Sequence, residues 1–342
     1  MASSAVVFYK IATTCLLILV GYIAKRMKLL PEISVSVISK FIMFLALPSY
    51  FIFHMPSCIS LDTLDANWFF PLFGAFLIFG ADMFGYLSDR LFAAPGERGT
   101  FRMLVALPNW VFMALAVCEP LFPGDGVRVV LLYNVGIMFY FWSFGMTSFR
   151  SGEGWRTILR QLFLNTQTVA IAIGVVMALS FPALRGMEKL SSPELAALPW
   201  YVGIVTPLWE TIYLIGGTAL PLSILQIGLL LGTSREKDPL AGQEGNRSLI
   251  LSTLLRLLVA PLLSIACLVV LCRLGVPLTF NEFVISVIVM SMPAAVLCLS
   301  VAEVYGGAVR LSARGILWGT LASLLTAPLL TWLAETAYGL TR

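Results

Sequence analysis

Residues 101–121 read FRMLVALPNWVFMALAVCEPL, and this segment is long and apolar enough to cross a lipid bilayer once. Pro108 stands in its middle and is followed by Asn109. A proline inside a helix removes one backbone hydrogen bond and clashes with the preceding turn, and in lipid the freed groups must find partners in protein or water. The segment therefore predicts a membrane helix that is broken at Pro108.

A second segment with the same features lies in the other half of the chain. Residues 281–302 are apolar and carry Pro293 near their centre, and Pro48 and Pro221 form a similar pair in two further apolar segments. Prolines at matching places in two halves indicate an internal repeat. We expect broken helices to cross near the middle of the membrane, where their ends present bare amides and carbonyls to a ligand.

The composition places the whole chain in a membrane. Of its 342 residues 59% are apolar and only 12% are charged, against about 25% in soluble domains, so lipid is the expected solvent. The net charge of +4 comes from short basic clusters between apolar segments, which excludes a nucleic-acid partner and leaves the lipid bilayer as the surroundings. We predict an all-α membrane protein with ten transmembrane helices, near residues 6–24, 35–54, 68–87, 101–121, 127–149, 157–181, 203–232, 249–272, 281–302 and 314–336.

The loop charges predict the orientation of these spans. The odd-numbered loops and the span ends beside them carry 14 lysines and arginines and the even-numbered ones carry 4, so the odd-numbered loops are expected to be cytoplasmic. Both termini then lie on the non-cytoplasmic side of a plasma or inner membrane. Because five is an odd number of spans, a second five-helix unit enters with opposite topology. We predict a first repeat over 1–152 and an inverted second repeat over 153–342.

Polar residues near the prolines are the candidates for substrate binding. Asn109 offers an amide donor beside broken backbone, which suits a carboxylate, although such a residue can also satisfy a neighbouring helix. Asn134 and Gln226 stand in apolar surroundings and either line a cavity or join two helices. The candidate substrate-binding residues are Asn109, Pro108, Pro293, Ala294, Trp110, Pro48, Pro221, Gln226 and Asn134.

Charged residues inside spans form a separate set. Asp82 is a candidate for coupling transport to an ion, since intramembrane acids are costly; the alternative is an acid near the interface, solvated there or paired with Arg90. Lys40 and Arg256 lie near cytoplasmic span ends and are expected to snorkel. The chain has one histidine and no CxxC spacing, so neither a metal site nor a cofactor is expected, while coupling to H⁺ or Na⁺ stays open.

Several motifs in order along the chain resemble the auxin efflux carrier family. They are Phe44-Leu45-Ala46-Leu47-Pro48, Leu107-Pro108-Asn109-Trp110-Val111, Leu164-Asn165-Thr166-Gln167-Thr168, Ser223-Ile224-Leu225-Gln226-Ile227-Gly228 and Met292-Pro293-Ala294. This family comprises the plant PIN-type auxin carriers and bacterial permeases for malate or malonate.

The resemblance implies the fold of the bile-acid/sodium symporters, with crossed, proline-broken helices 4 and 9. It further implies a scaffold of helices 1, 2, 6 and 7, a moving transport domain of helices 3–5 and 8–10, and a homodimer through the scaffold. Asn109 is implied to hold the carboxylate of the substrate.

These observations predict a secondary transporter or facilitator that moves a small organic anion, auxin-like or a dicarboxylate, by alternating access. The direction of transport stays open. An intramembrane enzyme is the first alternative, but the sequence has no HExxH and no paired transmembrane aspartates in an active-site motif, so we predict no enzymatic activity. A channel or sensor is the second, and the sequence has neither a selectivity-filter loop nor an arginine-rich voltage helix.

Overall fold

The computed structural model describes residues 2–29, 35–59, 68–148, 163–181, 200–233 and 245–341, together with Arg156 and Arg160. Within these ranges the regular structure is helical and carries one isolated β-bridge. The α-helices are Ala2–Arg26 (α1), Val35–Phe41 (α2), Leu47–Cys58 (α3), Phe69–Phe92 (α4), Arg98–Ala106 (α5), Phe112–Leu121 (α6), Asp125–Ser143 (α7), Thr166–Ser180 (α8), Trp200–Gly217 (α9), Ala219–Thr233 (α10), Gly245–Leu254 (α11), Ala260–Arg273 (α12), Phe280–Ser291 (α13), Leu297–Tyr305 (α14) and Val309–Gly339 (α15).

In the described part of the chain, six helices are long and apolar enough to cross a membrane. They cover Ala5–Arg26, Phe69–Phe92, Asp125–Ser143, Thr206–Leu229, Asn246–Arg273 and Val309–Gly339. Large apolar side chains point outward along them; Leu72 is 62% exposed and Leu325 is 76% exposed. Water does not tolerate apolar surface on this scale, whereas lipid tails solvate it. The molecule is therefore an integral membrane protein.

Glycines let some of these helices approach backbone to backbone. A Cβ atom on Gly228 of α10 would collide with the carbonyl of Ile18 in α1, and one on Gly21 would collide with the carbonyl of Leu225. Small residues at such contacts are typical of membrane helices, which associate through close packing rather than through water exclusion. The α1–α10 contact depends on this approach. In the same way α4 and α7 meet where Gly136 faces the carbonyl of Pro71.

Three predicted spans are shaped differently from the expectation. The helix around Pro48 is not broken there, because a π-helical turn, Ile42–Ala46, precedes α3 and accommodates the proline in its first turn. The predicted span 203–232 is interrupted at Thr218, and Pro221 lies in the first turn of α10, where a missing N–H costs no intrahelical bond. Within the predicted span 157–181, Phe163 and Leu164 are helical, the helical conformation is interrupted at Asn165, and α8 begins at Thr166 with Asn165 as its cap.

Pro108 and Pro293 interrupt their helices, as predicted. Between α5 and α6 the chain is non-helical over Leu107–Val111, and between α13 and α14 it is non-helical over Met292–Val296. We call these two segments together the crossing. Their backbones pair in an antiparallel bridge between Pro108 and Ala294. The Asn109 N–H donates to the Pro293 carbonyl at 2.6 Å, and the Ala295 N–H donates to the Leu107 carbonyl at 3.0 Å. Each break thus supplies backbone partners for the other, which lipid could not do.

Candidate functional site

A cavity of about 340 Å³ opens beside the crossing, and we call it the crossing cavity. Its volume is at the lower end of the range for small-molecule sites, which is about 300–1,000 Å³. Most of its lining is apolar, and the described residues that line it include no charged side chain. The lining comprises Ile42, Met43, Phe44, Leu47, Asn109, Trp110, Val111, Phe112, Met138, Trp142, Leu164, Asn165, Thr166, Gln167, Gln226, Ala295, Val296, Leu297 and Ser300.

Two helices begin at this cavity with no side-chain cap. They are α6 and α14, and the residues where each begins, Phe112 and Leu297, are part of the lining. Some N–H groups of these first turns donate to carbonyls of the crossing, Ala114 to Asn109 and Cys298 to Ala295, but the dipole of each helix still leaves about half a positive elementary charge at its start. Two such ends place about one positive charge beside a cavity whose described lining has no acid to offset it. The arrangement favours an anion.

A third helix, α8, begins at the same cavity but is already capped. The Asn165 carbonyl oxygen Oδ1 accepts the Thr168 N–H at 2.9 Å, and its amide Nδ2 donates to the Thr168 hydroxyl at 2.7 Å. In the sequence, the motif Leu164-Asn165-Thr166-Gln167-Thr168 stood out only as part of the family resemblance. Asn165, Thr166 and Gln167 were therefore missed as lining residues, and so was Ser300 of α14.

Of the predicted site residues, Asn109, Trp110 and Gln226 line the cavity. Asn109 is 3% exposed and stands where the backbone bond to Pro293 is made, directly before the turn into α6. Gln226 belongs to α10, on a different helix from the crossing, and is 8% exposed. Of the predicted residues, the structure therefore brings two amide side chains and one indole to a common space.

Asn134 fixes the orientation of Trp110 through a hydrogen bond from outside the cavity lining. The Trp110 indole Nε1–H donates to Asn134 Oδ1 at 2.8 Å, and Asn134 is fully buried in α7. The sequence left two roles open for Asn134, lining a cavity or joining two helices, and this contact is the second of them. Asn134 is outside the lining, yet it fixes the orientation of a side chain that is inside it.

The other predicted site residues lie outside the cavity lining. Pro108, Pro293 and Ala294 form the backbone of the crossing itself. Pro48 is buried in the first turn of α3, next to the lining residue Leu47, and Pro221 is exposed in the first turn of α10.

Asp82 is tied to two neighbouring elements instead of facing the cavity. Arg102 of α5 grips its carboxylate with two bonds, Nε to Oδ1 at 3.2 Å and Nη2 to Oδ2 at 2.8 Å, and the Tyr140 hydroxyl donates to Oδ2 at 2.7 Å. The alternative considered from the sequence, an ion pair between Asp82 and Arg90, is wrong because the partner is Arg102. Arg90 lies eight residues further along α4, about 12 Å along the axis, which is beyond hydrogen-bond reach.

Arg256 does not snorkel, and that prediction is wrong. Its side chain is buried, with 1% exposure, and points at the crossing. Nη1 donates to the carbonyls of Val105 at 3.0 Å and Ala106 at 2.8 Å, and Nη2 donates to the carbonyl of Met290 at 2.6 Å. These oxygens belong to the last turns of α5 and α13. One general sequence signal could have indicated a buried role for Arg256, namely an ionisable residue inside a membrane span.

A broken-helix crossing beside an apolar cavity with few polar groups defines a membrane transport protein, because such discontinuous helices bind substrates and ions in transporters. Residues 6–331 match the model of the membrane transport protein family, and the chain belongs to that family, the auxin efflux carriers. The chain is also similar to a protein of Methanothermobacter thermautotrophicus described as an uncharacterized transporter. The two are 25% identical over 323 residues, which cover 93% of this chain and 95% of that protein. Family and relative both point to transport and away from an enzyme.

Proposed function

We propose that the protein is a secondary transporter for a small organic monoanion, a carboxylate with an apolar body. The observation that carries this proposal is the pair of uncapped helix ends, α6 and α14, at a cavity without charged side chains among its described lining. Together these ends balance about one negative charge. A dicarboxylate would bring a second charge into a mostly apolar space, at a large desolvation cost.

Asn109 is the residue proposed to hold the carboxylate. Asn109 and Phe112, the residue at which α6 begins, both line the cavity, so the amide and the start of that helix are close to the same space. Gln226 is proposed to contact the same substrate from α10. The apolar majority of the lining then receives the body of the substrate.

Alternating access is proposed because the cavity walls come from two sets of helices. One wall holds the crossing together with Met138 and Trp142 of α7. The other holds residues from the π-helical turn Ile42–Ala46, from the start of α3, from the start of α8 and from α10. The first set belongs to the proposed transport domain and the second to the proposed scaffold. A movement of one set against the other would open the cavity alternately to the two sides.

The ten-helix, inverted topology is part of the same proposal. Besides the six long helices, shorter apolar helices cover Ile42–Cys58, Phe112–Leu121, Thr166–Ser180 and Phe280–Ser291, and each overlaps one of the four remaining predicted spans. Ten crossings leave both termini on one side, which the loop charges place outside the cytoplasm. Cysteine labelling of residue 5 and residue 341 from one side of intact cells would test this orientation.

The function is tested by uptake of a panel of labelled carboxylates into proteoliposomes, with the native protein and Asn109→Ala. A hydrogen bond to a charged group contributes about 1.5–3 kcal/mol, so the variant should bind the transported acid about 10- to 150-fold more weakly. Asn281→Ala is the matched control, because that amide donates to Asp125 instead and lies outside the cavity lining.

Four outcomes decide between the possible functions. Saturable uptake that is accelerated by unlabelled acid on the opposite side, and weakened only in Asn109→Ala, supports a carrier with its carboxylate site at the crossing. Uptake that never saturates indicates a pore. Uptake that is equal in both variants places the carboxylate elsewhere, and no uptake of any acid refutes the proposed substrate class.

A further inference from the structure

Transporters with broken helices use both polarities of the helix ends. The N-terminal ends face anionic groups, and the carbonyls at C-terminal ends coordinate Na⁺ or H⁺. In this protein the C-terminal ends are those of α5 and α13, which stop at the crossing from opposite sides. Each such end carries about half a negative charge, so the two together attract about one positive charge.

Arg256 supplies that charge from within the chain. All three of its hydrogen bonds in the described structure go to main-chain oxygens of these two ends, at 3.0, 2.8 and 2.6 Å. We propose that the guanidinium of Arg256 takes the place of a coupling cation at the crossing, so that transport needs no sodium ion. This inference rests on the proposed function of the protein as a carrier, and it adds how the carrier is coupled.

The surroundings of Arg256 fit a charge that stays in place. It extends from a π-helical turn, Leu255–Val259, and the widened turn directs its side chain toward both carbonyl ends. A bound guanidinium occupies the carbonyl oxygens that an ion would need as ligands. It also has no carboxylate among its hydrogen-bond partners here, so it is free to offset the two helix ends.

The space beside Arg256 shows what a smaller side chain would leave. A pocket of about 10 Å³, enough for one water-sized probe, lies against it and is lined by Ser252 and Thr253 as well as Ala294 of the crossing. Removal of the guanidinium would join this pocket to the freed carbonyl oxygens. The result is an oxygen-lined space with about one negative charge, which is the chemistry that a hard monovalent cation prefers.

The experiment compares thermal unfolding of purified protein in sodium chloride and in choline chloride at equal ionic strength. We expect the native protein to unfold at the same temperature in both salts. Arg256→Ala should unfold at a lower temperature in choline, and sodium should raise that temperature in a saturable way. Arg256→Lys restores a cation and should lose the sodium response. Arg273→Ala is the matched control, because it removes an exposed arginine from the far end of the same span.

The same salts are then compared in the uptake assay, where native uptake should be equal in both and Arg256→Ala should become dependent on sodium. A saturable sodium effect on the native protein would overturn the inference, and this arm needs no variant to fold. An Arg256→Ala protein that is destabilised equally in both salts would also overturn it, since Arg256 would then be a structural residue. Absence of all uptake would refute the carrier proposal, while the unfolding curves would still decide the role of Arg256.

Discussion

The hydrogen bond between Trp110 and Asn134 gives the sharpest prediction on how the cavity wall is held. Replacing Asn134 by leucine keeps the branching of the side chain, with a larger volume, and removes the acceptor of the indole N–H, in a place where both residues are buried. A buried donor left without a partner costs about 1–3 kcal/mol. The Asn134 Nδ2 group has no partner in the described part of the chain, and its removal offsets part of that cost. We expect a net loss of about 1 kcal/mol of unfolding free energy, at the lower end of that range.

A double-mutant cycle isolates the bond from the packing. Trp110→Phe removes the donor, Asn134→Leu removes the acceptor, and the double variant leaves neither group unsatisfied. Polar pairs between membrane helices couple by about 0.6 kcal/mol on average and by about 1.7 kcal/mol at most in one measured case. We expect about 1 kcal/mol of coupling here, about a fivefold factor in the unfolding equilibrium, because both partners are buried.

The assay is reversible unfolding in detergent, followed by substrate affinity in the uptake assay. Trp110 lines the cavity and Asn134 does not, so Asn134→Leu should weaken substrate binding only through a shifted indole. Trp110→Phe combined with Asn281→Leu serves as the control cycle, since that asparagine contacts Asp125 instead. Effects of Trp110→Phe and Asn134→Leu that add within about 0.3–0.5 kcal/mol would refute the reasoning.

Two further predictions concern the ion pair at Asp82 and the α1–α10 contact. Asp82→Asn should lower the unfolding free energy by about 2 kcal/mol, since it leaves the Arg102 guanidinium without its carboxylate. The variant should leave the ion dependence of uptake unchanged, and a lost gradient dependence would show a coupling role instead. Gly228→Leu should prevent α1 from packing on α10, because its side chain would collide with the Ile18 carbonyl, and should abolish the folded fraction in size-exclusion chromatography. Gly217→Leu is the control and should fold normally, because this glycine is exposed and has nothing within 4 Å of its Cβ position.

The breaks at Pro108 and Pro293 could be predicted because they follow from the covalent structure of proline. A missing donor and a ring clash weaken a helix wherever the residue stands, and these two prolines were singled out by their matching places in the two halves of the chain. Asn109 and Trp110 could be predicted for the cavity because they follow the first break directly. Pro48 has the same chemistry, yet its helix continues, since a π-helical turn absorbed the clash and no sequence pattern marks such a turn.

The roles of Arg256 and Asp82 required the tertiary structure. Distance along a span suggested that Arg256 lies near an interface, but its depth is set by how α11 and α12 pack against the ends of α5 and α13. The partner of Asp82 comes from the following helix, α5, and α4 alone offered only Arg90. Helical geometry could have excluded Arg90, while only packing could supply Arg102.

The charges around the crossing explain why the proposed substrate site is built from amides. Four helix ends meet there, and Arg256 donates to carbonyls of the two negative ones. The two positive ends lie at the cavity, and their dipoles supply the attraction proposed for an anion. A lysine or arginine in the lining would add a full charge in a low-dielectric space, where it would hold a carboxylate too strongly to release it. Asn109 and Gln226 add direction without adding charge, so binding can be specific and still weak enough for the substrate to leave on the other side.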